Sequence, residues 1–125
     1  MSKRILVIDD DDPVREAIHD ILETIQVEVI GADNGPDGIA LFAQYHASIA
    51  AVMIDMRLPG MGGEEIVSHI RAIDPSAKVI LSSAYLQTEI NRLVGDLSAY
   101  EFLPKPFDFH TLLKVVGAFV NVPAG

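Results

Sequence analysis

Apolar residues along this chain follow two alternating patterns. Short, mostly apolar runs occur at Ile5-Leu6-Val7-Ile8, which is continuous and largely β-branched, at Val27 to Ile30, at Ile49 to Ile54, which is nearly all apolar, at Lys78 to Leu81 and at Tyr100 to Leu103. Runs of this kind predict strands buried on both faces. Between them the apolar period lengthens to that of a helix. Val14, Ala17, Ile18, Ile21, Leu22 and Ile25 recur on one side, with Arg15, Glu16, Asp20 and Glu23 opposite. Asp12 and Pro13 read as the N-cap and first residue of that helix. Gly31 and the Asp33-Asn34-Gly35 turn signal close the second strand. A weaker helix is predicted from Gly38 to Tyr45, and a third from Glu64 to Ile73, ended by Pro75. A short fourth is predicted from Leu86 to Val94. The last opens at Asp108 and runs to Val120, with Leu112, Leu113, Val116 and Phe119 inward.

Five strand–helix units with buried strands predict an α/β protein, a doubly wound parallel sheet with helices on both faces and right-handed crossovers. No linker, repeat or low-complexity tract interrupts the pattern. One domain is therefore expected over residues 1–122, with 123–125 as a frayed tail or a truncation point.

Composition narrows the function classes. The chain has 125 residues, half of them hydrophobic, with no cysteine. Disulfides, a thiol nucleophile and Cys-ligated metal sites are excluded. Nine Lys+Arg against eighteen Asp+Glu leave a formal charge of -9, which argues against direct nucleic-acid binding or an anionic membrane surface. No apolar run is long enough for a signal peptide or a membrane span, so a soluble, cytoplasmic domain is expected.

In an open parallel sheet, ligands bind beyond the carboxyl ends of the strands. The first strand delivers Asp9 and Asp10 there, the third Asp55, the fourth Ser83 followed by the small Ala84, and the fifth Lys105 between two prolines. Clustered carboxylates repel, so a cation should join them. Hard oxygen ligands without His or Cys favour Mg2+, Mn2+ or Ca2+. The protein offers too few ligands for a closed calcium cage, whereas Mg2+ keeps waters and takes a phosphate. A lysine and a hydroxyl opposite make this a phosphoryl-handling group, with a carboxylate as its nucleophile.

The stretches ILVIDDDDPVRE, MIDMRLPGMGG, ILSSA and FLPKPF, in that order, resemble the receiver domain of two-component response regulators, over essentially the whole chain. The resemblance implies a flavodoxin-like (βα)5 receiver fold with strand order 2-1-3-4-5. It also implies that Asp55 is the phosphoacceptor, Asp10 a direct metal ligand, Asp9 its partner, and the Arg57 backbone carbonyl a further ligand. The metal would be Mg2+, with Mn2+ as an alternative. Ser83 matches the switch hydroxyl, Ala84 the small residue beside the phosphoryl group, and Lys105 the family's lysine, before a Lys-Pro bond commonly cis. Phe102 falls at the rotating aromatic. Arg57 and Tyr85, each two residues past a site residue, stand where the family tunes dephosphorylation, and their bulk implies slow self-hydrolysis. The implied donor is a histidine kinase or a histidine phosphotransfer protein. The implied output, to a homodimer or an effector, runs through the fourth helix, fifth strand and fifth helix. Ser98 and Asp12 depart from frequent Gly and Pro.

Plainer readings apply to several residues. Asp11 and Asp12 read as helix capping and macrodipole compensation. Ser83 alone reads equally as a backbone-bonded serine, and Phe102 as core. His19, His46, His69 and His110 lie apart without metal spacing, as surface residues. Extra apolar positions on the last helix, Phe109, Val115 and Val122, fit a partner surface or packing on a neighbouring helix. Three other functions compete with the switch. A phosphatase with an aspartyl-phosphate intermediate needs a second Asp where Arg57 stands. A flavin carrier needs a Gly- and hydroxyl-rich loop where four aspartates stand. A constitutive interaction module has no need of the intact acid cluster and lysine.

Overall fold

The five apolar runs become the strands of one parallel sheet in the computed structural model, which describes residues 3–84, 89–90, 92 and 100–120. These strands are β1 (Arg4–Ile8), β2 (Glu28–Ala32), β3 (Ile49–Asp55), β4 (Val79–Ser83) and β5 (Tyr100–Pro104). Their spatial order is β2-β1-β3-β4-β5, as the resemblance implied. Helices α1 (Asp12–Glu23), α2 (Gly35–Tyr45) and α3 (Gly63–Ile73) lie in the connections after β1, β2 and β3, and α4 (Phe109–Gly117) follows β5. The helix expected from Leu86 to Val94 lies largely outside the described residues.

Successive strand residues point to opposite faces, so each run feeds two cores. On one face Leu6, Ile8, Val52, Ile54 and Leu81 pack with Phe42 of α2 and Ile66 and Ile70 of α3. On the other, Ile5, Val7, Met53, Ile80 and Leu103 pack with Ile18 and Leu22 of α1 and Leu112 and Val116 of α4. Full burial of each such side chain contributes roughly 1.5–3 kcal/mol. Leu113 and Phe119, expected inward with them, are only half-buried.

Several boundaries differ from those predicted, each for a local reason. Asp11, not Asp12, caps α1, its side chain accepting from the Val14 N–H at 3.2 Å. That helix stops at Glu23 although Ile25 keeps the apolar period. Gln26 takes a left-handed φ of 63°, and the Val27 N–H returns to the Leu22 carbonyl at 3.0 Å, a Schellman-type closure. α2 begins at Gly35 rather than Gly38, because Asn34 is its N-cap, accepting from the Asp37 N–H at 2.8 Å. β2 is shifted onward from Val27 to Ile30 and runs through Gly31. β4 continues through Ser82 and Ser83, because ladder bonding does not require apolar side chains. Pro104 closes β5, where an edge strand tolerates the missing N–H. Asp108 caps α4, which ends three residues before Val120.

Candidate functional site

Strand order reverses between β1 and β3, so the loops leaving these two strands diverge and open a crevice at their carboxyl ends. The register pairs Ile8 with Ile54, which sets the next residues, Asp9 and Asp55, side by side. Both are nearly enclosed, 3 % and 7 % exposed. The Asp9 N–H bonds the Ala32 carbonyl at 3.1 Å, extending the β1–β2 ladder one residue beyond the apolar run. The Asp11 N–H donates to Asp9 Oδ1 at 2.9 Å, which turns the chain into α1 and leaves Asp10 exposed at the rim. On β3, the Arg57 N–H donates to Asp55 Oδ1 at 3.0 Å, and the Met56 N–H to the Ser82 carbonyl at 3.0 Å.

Lys105 enters from the far edge. Its N–H bonds the Ser83 carbonyl at 2.8 Å, and the peptide to Pro106 is cis. Its Nζ lies 3.0 Å from Asp9 Oδ2 and 3.4 Å from Asp55 Oδ2. Partial burial pulls the ammonium pKa down, but the hydrogen bond to Asp9 and the charges of Asp55 and Asp9 outweigh it. The net pKa lies above the ordinary lysine value.

Ligand oxygens of Asp9, Asp10 and Asp55 lie within 4.8 Å of one another. Lys105 and single backbone N–H groups take only part of their lone pairs. Three carboxylates with one ammonium form a hard, oxygen-only, net negative donor set, which fits a small divalent cation.

Asp9, Asp10, Asp55 and Lys105, singled out from the sequence, are thus brought into one cluster. Ser83 closes β4 beside them and is buried at 1 % exposure. Phe102 sits lower, half-buried on β5 opposite Leu81, against the core shared with α2 and α3. Arg57 is exposed at the start of the loop after β3, where Gly60 takes a φ of 86°. Tyr85 and Ser98 lie outside the described residues. The four histidines are all exposed. His19 nevertheless meets Asp20 and Glu23 on the outer face of α1, an exposed group that sequence spacing did not suggest.

Two residues escaped the sequence reading. Arg15, assigned to the polar face of α1, donates from Nη1 to the Asp9 carbonyl at 2.6 Å and pairs through Nη2 with Asp12. The spacing of Asp12 and Arg15 signals the second contact; nothing in the sequence signals the first. Ser82 carries a buried hydroxyl with no hydrogen-bond partner among the described residues.

Residues 5–117 match the family described as response regulator receiver domain. The chain belongs to that family. It is 33 % identical to a chemotaxis protein CheY of Thermotoga maritima, covering 86 % of this chain and 88 % of that one. It is also 35 % identical to a cyclic di-GMP phosphodiesterase of the same organism, over 94 % of this chain but only 31 % of the relative's length. A receiver domain protein from Clostridium thermocellum superposes with a TM-score of 0.86 at 29 % identity, covering 95 % of this chain and 94 % of that one. Receiver domains serve two-component signalling, act generally as phosphoacceptors, bind Mg2+ through acidic residues, and work with kinases or phosphotransfer proteins. The acidic cluster this requires is present here. No helix among the described residues is long and apolar enough to cross a membrane.

Proposed function

We propose that this receiver domain takes a phosphoryl group onto Asp55 and signals through the surface around β5 and α4. The observation that carries the reading is the position of Lys105 Nζ, within reach of both Asp9 and Asp55. A lone turn aspartate needs no such partner, whereas an acceptor carboxylate beside a fixed cation does.

Asp9, Asp10, Asp55 and the Arg57 carbonyl would hold Mg2+, which supplies neutralisation of the carboxylates and charge stabilisation on a phosphoryl oxygen. An Asp55 carboxylate oxygen attacks phosphorus in line. The new O–P bond forms as the bond from phosphorus to the donor breaks, and the electron pair leaves with the donor. On a histidine kinase or phosphotransfer protein, that donor atom is a ring nitrogen. Lys105 stabilises negative charge on the transferred group, from a place already pre-organised by Asp9. Hydrolysis of the resulting acyl phosphate restores the carboxylate, and the exposed Arg57 arm, together with Tyr85, slows the approach of water.

The switch follows from the added charge. Ser83, buried at the neighbouring strand end, turns its hydroxyl toward the phosphoryl oxygens, and Phe102 moves into the space released. The surface that changes includes β5, the segment 86–94 and α4, whose Phe109 is 45 % exposed and available to a second copy or an effector.

Beryllofluoride with Mg2+ tests the reading by amide NMR. With Mg2+ already present, beryllofluoride should shift the resonances of Asp55, Arg57, Ser83, Ala84 and Lys105 beyond the change that Mg2+ alone gives, and this further shift should be absent in Asp55→Asn. Equal shifts in Asp55→Asn would contradict the assignment.

A further inference from the structure

Arg15 is the only cation among the described residues paired with the acidic turn from the α1 side, and it touches none of the three carboxylates of the cluster. Its two bonds go to the turn itself. Nη1 donates to the backbone carbonyl of Asp9 at 2.6 Å, and Nη2 to the Asp12 carboxylate in the first turn of α1. The guanidinium thus spans the turn from Asp9 to Asp12, with Asp10 between its two anchors.

Edge strand β2 makes room for the arm. Gly31 lies beneath it, and a Cβ there would already touch Arg15 Cδ at 3.4 Å and Nε at 3.6 Å. The arginine side chain is largely covered, 23 % exposed, although it stands on the polar side of α1. Four successive aspartates repel one another, and an untied turn would relieve that repulsion by splaying. The planar fork of arginine can hold a carbonyl and a carboxylate at once, which a single ammonium does less well.

We propose that Arg15 is a positioning residue for the cation site: it clamps the Asp9 peptide so that the Asp9 and Asp10 carboxylates are presented together. The inference rests on the metal-binding reading given above. Outer contacts of this kind typically change metal affinity by about 10-fold or more when removed. The sign separates positioning from charge. Through charge alone, a guanidinium near a cation site weakens Mg2+ binding, so its removal would tighten it. Through positioning, its removal loosens it.

The test is a Mg2+ titration followed by amide NMR on the unsubstituted chain, Arg15→Ala, Arg15→Lys and Gly31→Val, each first shown to be folded by its spectrum and melting curve. Gly31→Val keeps the arginine but fills the space under its arm. The expected result is a dissociation constant raised about 10-fold in Arg15→Ala, with Arg15→Lys recovering less than half of the loss. Gly31→Val should shift in the same direction. In metal-free protein, the Asp11 amide, which bonds Asp9 Oδ1, should exchange faster in Arg15→Ala. Unchanged or tighter Mg2+ binding in Arg15→Ala, with normal binding by the unsubstituted chain, overturns the inference alone. No Mg2+ binding by the unsubstituted chain overturns the metal reading and the inference with it.

Discussion

Lys105 and Asp9, 96 residues apart in the chain, form an ion pair at 3.0 Å that joins the last strand of the sheet to the first acidic residue of the site. The same ammonium reaches Asp55 at 3.4 Å, and its ion pairs are with these two carboxylates. Asp10 lies within the same cluster without sharing that compensation. On the proposed cation-binding reading, a carboxylate placed beside Asp9 and Asp55 costs stability until a divalent cation joins them.

Asp10→Asn should accordingly raise the melting temperature in chelator by about 2–4 °C, corresponding to under about 1 kcal/mol. The same variant should lose the stabilisation that Mg2+ gives the unsubstituted chain. Calorimetric melts with and without Mg2+ check both, and an undiminished response to Mg2+ would remove Asp10 from the site.

Gly38 brings α2 against β1 directly below Asp9. A Cβ at that position would lie 2.6 Å from Ile8 Cγ1, and Ile8 is fully buried and stiff at χ1. Gly38→Ala should destabilise by about 1–3 kcal/mol through overpacking. Adding Ile8→Ala should make the Gly38→Ala change cost less than it does alone. Denaturant unfolding of the four chains measures the coupling; strict additivity would contradict the contact.

Ser82 and Ser83 are adjacent and both buried, and the proposed switch gives them different consequences. The Ser82 hydroxyl has no partner among the described residues, so Ser82→Ala should change stability by only about 0–1 kcal/mol, in the stabilising direction, and leave phosphorylation unaltered. Ser83→Ala should still accept a phosphoryl group but lose the spectral change at Phe102. Urea titrations and phospho-state NMR separate the two; a loss of the Phe102 response in Ser82→Ala instead would reverse the assignment.

Asp108 links stability to pH. Its carboxylate accepts the Thr111 N–H at 2.7 Å, and that hydrogen bond holds its pKa below the ordinary carboxylate value. A carboxyl with a depressed folded-state pKa takes up its proton first in the unfolded chain, so its contribution is complete above the unfolded value and fades as pH falls through the folded one. The difference in melting temperature between the unsubstituted chain and Asp108→Ala should stay constant from neutral pH down to about 5 and then shrink. A difference that grows on acidification would contradict the cap.

β1, β3 and β4 were legible because a buried parallel strand leaves a run of apolar residues, and Asp9 and Asp55 were legible because each ends such a run; Lys105 was marked by its place between two prolines after β5. Polar extension was not: nothing in Ser82-Ser83 or Pro104 distinguishes ladder from loop, since backbone pairing ignores side-chain polarity. Asn34-Gly35 serves a turn and a helix cap equally well, and only the bond to Asp37 decides between them. Ile25 keeps the helical period after the helix has ended, because the left-handed Gln26 reverses the chain without altering the apolar pattern. Arg15 was hidden for a related reason. A side chain that bonds a backbone carbonyl leaves no complementary residue to read, and on a helical wheel it looks like any solvated arginine.

The most direct test is the intact mass of the protein after incubation with Mg2+ and a small acyl-phosphate donor, alongside Asp55→Asn and a metal-free sample. A single phosphoryl adduct that forms only when both Mg2+ and Asp55 are present is the result expected. An adduct that persists in Asp55→Asn, or no adduct on a folded chain that also receives none from a histidine kinase, would contradict the assignment of Asp55.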